Sequence, residues 1–233
     1  MTRHELKEQL QHDQFSDTVS DVVGYALSHR QAFIRWSIVG IVVLVLVGGA
    51  FWYSSYKRSV RIQDLQAAFE VANAQVGPAN EYAKTFSTQD AKTEAAIKAF
   101  TNVVNKDAGT REGYIAQYYR GTLLAQKNDW KGAESDLRTV AESNSESTAL
   151  AKIALAQVYA GENKTSEARA LLQSLVNNPA DLVSKAQAQV LLAHLDEKTN
   201  PQLAKSVLQS LKTPTQSPAV TRAVDELTSQ LNQ

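Results

Sequence analysis

The chain has 233 residues, with 24 Lys and Arg against 24 Asp and Glu, and no cysteine. Balanced charge leaves no electrostatic footprint for nucleic acid or an acidic substrate. The missing cysteine excludes disulfides, thiolate metal sites, a cysteine nucleophile and a lipid-anchored cysteine.

Residues 1–35 carry four basic and five acidic residues and read as an amphipathic N-terminal segment. Phe15, Val19, Val22, Val23 and Ala26 fall at helical spacing on one stripe. The segment suits either an interfacial helix on a bilayer, which its acidic opposite face disfavours, or a helix that pairs with itself or a partner. His4, His12 and His29 lie here and read as solvated side chains.

Ser37 to Tyr53, SIVGIVVLVLVGGAFWY, passes without a charge between Arg35 and Lys57-Arg58. Residues 36–56 as helix would be roughly 31 Å long, which matches a bilayer core of about 30 Å. Trp36 stands at one end and Phe51, Trp52, Tyr53 and Tyr56 at the other, where amphipathic rings favour the headgroup zone. A transmembrane helix over 36–56 is predicted. A buried core helix is one alternative. A cleaved signal peptide is the other, because Gly48-Gly49-Ala50 loosely resembles a cleavage site, although an acidic leader of this length does not suit a signal n-region. Arg30 and Arg35 on one side and Lys57, Arg58 and Arg61 on the other give no clear orientation. The span holds no ionisable residue, which argues against a proton relay through it.

Beyond the span, Val60, Leu65, Ala68, Phe69, Ala72 and Val76 continue a helical pattern up to Gly77-Pro78. Residues 57–92 therefore read as a juxtamembrane helix and a linker, and Tyr82 and Phe86 suggest a short helix inside the linker. From residue 93 to 233 the sequence repeats itself. An alanine followed four residues later by a large apolar residue occurs at Ala96/Phe100, Ala133/Leu137, Ala168/Leu172 and Ala204/Leu208, at steps of 37, 35 and 36 residues. An apolar helix precedes each of the last three: Tyr118, Gly121 and Leu124; Leu155, Ala156 and Tyr159; Leu191, Leu192 and Leu195. Alanine at a close crossing lets two helices approach, and the bulky residue one turn on fills the gap. One pair cannot bury both its faces, so pairs stack. Asp129, Thr165 and Asn200-Pro201 read as helix starts. Ala219–Leu231 reads as a final capping helix with one apolar face. No period-two alternation appears, so no sheet is expected.

The pattern resembles the tetratricopeptide repeat, most closely over residues 150–179, LAKIALAQVYAGENKTSEARALLQSLVNNP. The expected fold is therefore all-α: a transmembrane helix, then a tetratricopeptide-like α-solenoid of about three to four helix pairs, then a capping helix. By register, Tyr118, Thr122, Ile153, Gln157, Gln189 and Ala193 are candidates to line a groove for an extended or helical peptide. The Lys/Asn set with which some tetratricopeptide domains clamp a carboxylate terminus is not at these positions.

No chemistry-bearing constellation is visible. There is no phosphate loop, GxSxG or HExxH. His194 has Asp196 nearby on its own helix, but no nucleophile converges on it. The carboxylates read as solvated helix faces, and Trp130 as a packing staple. No catalytic residue, cofactor site or metal site is assigned.

The layout as a whole, a short N-terminal segment, one span ending in Trp52-Tyr53, basic Lys57, Arg58 and Arg61, then degenerate repeats, resembles the bacterial family of ancillary SecYEG translocon subunits. The repeat domain of that family also appears in cell-division coordinator proteins. The resemblance implies a non-enzymatic, single-pass protein of the bacterial inner membrane with its repeats in the periplasm. It also implies that those repeats associate with the Sec translocon and a membrane-anchored periplasmic prolyl-isomerase chaperone. On the residues alone, a scaffold for another envelope assembly, in cell division or outer-membrane biogenesis, and an enzyme with an unrecognised site stay open as alternatives.

Overall fold

The computed structural model describes residues 30–78, 84–213 and 216–231. The amphipathic segment of residues 1–29, its three histidines and Tyr82 lie outside the described residues. The chain divides into two compact units, Met1–Ser59 and Val60–Gln233.

Helix α1 spans Arg30–Ala72. Within the first unit its apolar stretch is bare: Trp36 is 75% and Leu44 72% exposed. The Trp52 and Tyr56 rings stack at 6.3 Å, and Lys57 Nζ lies 5.1 Å from the Tyr53 ring centroid.

In the second unit, the part of α1 from Val60 onward packs as the first helix of a pair. Leu65 and Ala68 are buried with Phe100, Val103 and Ala116. The helix stops before Gly77-Pro78, where a proline and a glycine disfavour continuation. Two short strands follow, β1 (Gln75–Val76) and β2 (Thr85–Phe86), paired in parallel as Gln75 with Thr85 and Val76 with Phe86. This overturns the helical pattern expected to run through Val76, the expected helix at Phe86 and the expectation of no sheet. A two-residue ladder is too short to show alternation in sequence, and Thr and Phe are residues that extended backbone accommodates well.

Seven helices complete the α-hairpins: α2 (Gln89–Lys106), α3 (Arg111–Gln126), α4 (Trp130–Ala141), α5 (Thr148–Gly161), α6 (Thr165–Asn177), α7 (Lys185–Asp196) and α8 (Pro201–Ser210). The last described helix, α9 (Pro218–Gln230), covers the apolar face of α7 and α8 through Val220, Val224 and Leu227. Caps start most of them. Thr88, Thr110, Asp129, Asn200 and Ser217 each accept a hydrogen bond from a first-turn N–H, and Ser184 and Gln187 form a capping box. Thr165 is not a cap: it is the first helical residue of α6, and Lys164 before it makes no side-chain cap bond.

The alanine/bulky pairs form the core. Ala96, Phe100, Ala133, Leu137, Ala168, Ala204 and Leu208 are at most 1% exposed, and Leu172 is 4% exposed. Burying each large side chain contributes roughly 1.5–3 kcal/mol. Gly121 is needed at one crossing, since a Cβ there would sit 2.8 Å from Leu137 Cγ. Asn128 and Asn163 turn the chain between paired helices with φ of 61°. Each turn closes the same way, with Asp129 N–H donating to Leu124 O and Lys164 N–H to Tyr159 O. Asparagine tolerates this left-handed region where most residues do not.

Four carboxylates expected on solvated faces are buried instead: Asp107, Glu112, Asp136 and Asp196. The last three each meet an arginine from another helix. Arg120 holds both oxygens of Asp136 at 2.6 Å, Arg169 grips Asp196 through two nitrogens, and Arg61 reaches Glu112 at 3.3 Å. Paired this way, a buried carboxylate has its oxygens hydrogen-bonded and fixes one sliding position between helices.

Candidate functional site

A cavity of about 250 Å³ opens between α5 and α7. Ile153, Ala156, Gln157 and Ala160 come from α5, Leu172 from α6, and Leu191, His194 and Leu195 from α7. The floor is aliphatic because α5 presents Ile and Ala on this side and α6 and α7 present Leu. The polar groups are the Gln157 amide and the His194 imidazole. No lysine, arginine or carboxylate lines it. His194 Nδ1 stands 3.1 Å from Glu197 Oε2 at the rim. Asp196 does not partner His194: its carboxylate is turned to Arg169. No Asp–His pair is formed, and among the described residues no group of three His, Asp or Glu is placed to hold a metal.

The candidate lining residues fall in different places. Ile153 and Gln157 come together in the cavity. Tyr118 is half-buried beside it in the α3–α5 core and packs edge-on to Tyr119 at 5.2 Å. Burial pushes its phenol pKa up. Thr122 is partly buried and donates to Tyr119 O at 2.8 Å. Gln189 is half-buried on α7, outside the cavity lining. Ala193 is 1% exposed and belongs to the core of α7, α8 and α9, so its side chain is closed to a ligand.

Register explains the difference on α7. The first helices of successive pairs begin at Arg111, Thr148 and Lys185, a step of 37 residues, whereas Gln189 and Ala193 follow from Ile153 and Gln157 by a step of 36. One residue turns an α-helix by about 100°. The residue equivalent to Gln157 is therefore His194, which the structure places in the cavity. Matching helix starts rather than alanines would have found it.

A second cavity, about 440 Å³, lies toward the other end of α5, between Ser145–Ala149 and Asn178–Leu182. Its lining mixes Lys152 with Glu146 and Asp181.

Residues 33–180 match the tetratricopeptide repeat-like domain. The chain belongs to that family. The match takes in most of α1 and runs through α6, and α7, α8 and α9 lie beyond it. No curated protein and no solved structure matches the chain. Tetratricopeptide repeat-like domains are in general non-catalytic modules that bind other proteins through surfaces made by stacked helix pairs. Among the described residues one helix, α1, is long and apolar enough to cross a membrane, and it falls within the matched region.

Proposed function

We propose that this protein is a single-pass membrane adaptor whose tetratricopeptide-like stack holds a segment of a partner polypeptide in the groove between α5 and α7. The observation that carries the reading is the bareness of α1 between Trp36 and Tyr56. A core helix would be covered by its own protein, yet none of the most apolar window is. Each large apolar side chain left in water forgoes roughly 1.5–3 kcal/mol, and a run of them is accommodated by lipid. The aromatic rings and Lys57 at its end fit the headgroup boundary.

The resemblance to ancillary SecYEG translocon subunits supports a location in the bacterial inner membrane with the repeats on the periplasmic side. It also supports the Sec channel and a periplasmic prolyl-isomerase chaperone as partners. Three measurements test this. Leu44→Arg adds about 2.5–3.5 kcal/mol to the cost of insertion and should release the protein from membranes washed with alkaline carbonate; retention would count against the anchor. Protease added outside spheroplasts should digest the repeats; protection would reverse the orientation. Crosslinking in intact membranes followed by purification should recover Sec channel or isomerase subunits; recovery of neither would remove the translocon from the reading.

A further inference from the structure

The groove between α5 and α7 differs from a site that clamps a chain terminus in both charge and size. Ala160 belongs to the last turn of α5, with Gln157 just before it, and His194 and Leu195 belong to the last turn of α7. Both helices thus bring their C-terminal ends to the same cavity. A helix C-terminus carries a partial charge of about −0.5, so two negative poles converge here. No lysine or arginine in the lining offsets them. Two cations of the adjoining α5–α6 segment are committed elsewhere: Lys164 Nζ donates to Glu134 and Glu162 at 3.0 Å each, and Arg169 to Asp196. At the rim, Glu197 adds a carboxylate beside His194. An anion brought in would lose its hydration and meet repulsion, with no lysine or arginine in the lining to compensate. The volume, about 250 Å³, falls below the roughly 300–1,000 Å³ usual for small-molecule and cofactor sites. It suits aliphatic side chains lying on Ile153, Leu172, Leu191 and Leu195, with the Gln157 amide placed to pair with a backbone group.

Resting on the groove reading above, we infer that its occupant is an internal, uncharged apolar segment of a partner chain, and that a free C-terminal carboxylate or an acidic side chain is rejected.

The full-length protein in phosphatidylcholine nanodiscs provides the test. The native chain has no cysteine, so Ser166→Cys, exposed, outside the cavity lining and one turn before the Arg169 that reaches the end of α7, can be labelled uniquely with an environment-sensitive fluorophore. Two probe peptides are titrated. Both carry two leucines one helical turn apart in a Gly/Ser background. One is acetylated, amidated and extended beyond both leucines; the other ends at the second leucine in a free carboxylate. The blocked peptide should shift the emission saturably and bind at least about tenfold more tightly, the scale on which convergent helix poles act on a partly buried anion. Equal or tighter binding of the carboxylate peptide would overturn this inference while leaving the groove as the binding site. A probe that responds to neither peptide would overturn the groove reading together with it. Ala160→Phe, at an exposed position, should fill the cavity without disturbing the core and abolish the response. If circular dichroism shows that variant folded and binding is unchanged, the peptide sits elsewhere and the inference fails.

Discussion

The crossing of α3 and α4 makes a prediction that changes sign with its surroundings. A Cβ at Gly121 would lie 2.8 Å from Leu137 Cγ, 3.1 Å from Leu137 Cδ2 and 3.2 Å from Asp136 Cβ. Gly121→Ala gains about 1 kcal/mol of helix propensity but forces an overpacked contact costing about 1–3 kcal/mol. It should therefore destabilise by up to about 2 kcal/mol, against the propensity scale. Leu137→Ala alone opens a cavity at a fully buried site and should cost about 2–5 kcal/mol. In that background two of the three close contacts of Gly121→Ala are gone and only Asp136 Cβ remains. The glycine substitution should then stabilise by about 0.5–1 kcal/mol, giving a coupling within the roughly 0.5–3 kcal/mol seen for touching residues. Guanidinium unfolding of the four proteins in detergent, followed by far-UV circular dichroism, measures the cycle. If Gly121→Ala is equally costly with and without Leu137, the close crossing does not set the packing of this hairpin and the reasoning fails.

Arg169→Ala would leave the buried Asp196 carboxylate with Thr199 at 3.3 Å as its remaining side-chain donor. Because Arg169 is partly solvated, the loss should be about 2–3 kcal/mol, below the ~3–5 kcal/mol of a fully buried pair, and Asp196→Asn should cost less; denaturant midpoints compare them. Asn128→Ala should cost about 1–2 kcal/mol because it forces a Cβ into the left-handed region, while Asn128→Gly should leave the unfolding midpoint unchanged. The Lys164 hydrogen bond, with Arg138 and Tyr159 beyond it, holds the Glu134 carboxyl below its usual pKa. A folded pKa below the unfolded one means stabilisation that is complete above the ordinary carboxylate range and lost as pH falls through the lowered value. Melting temperature scanned from neutral pH down through that range should fall less steeply in Glu134→Gln; identical acid limbs would show that the contact contributes nothing.

The helix pairs were legible because their code is packing. An alanine and a bulky residue four apart are needed wherever two helices cross, and all four such pairs are buried. Other features were hidden for physical reasons. Val60–Ala72 continues the span without a break, so its role as the first packed helix could not be separated from that of a juxtamembrane connector. Glu112, Asp136 and Asp196 look like surface residues until the arginine that neutralises each is brought in from another helix. The left-handed turns at Asn128 and Asn163 depend on backbone geometry that asparagine permits but does not announce. The groove was half legible: Ile153 and Gln157 lie in it, whereas a one-residue slip on α7 exchanged His194 for the buried Ala193.

Site-specific photocrosslinking in native membranes tests the central claim most directly. A photoreactive amino acid is placed at Gln157, in the groove, or at Gln173, an exposed residue of α6 outside it. The account predicts a discrete partner adduct from Gln157, weakened by Ala160→Phe, and little from Gln173. Equal adducts from both positions, or an adduct from Gln173 alone, would contradict it.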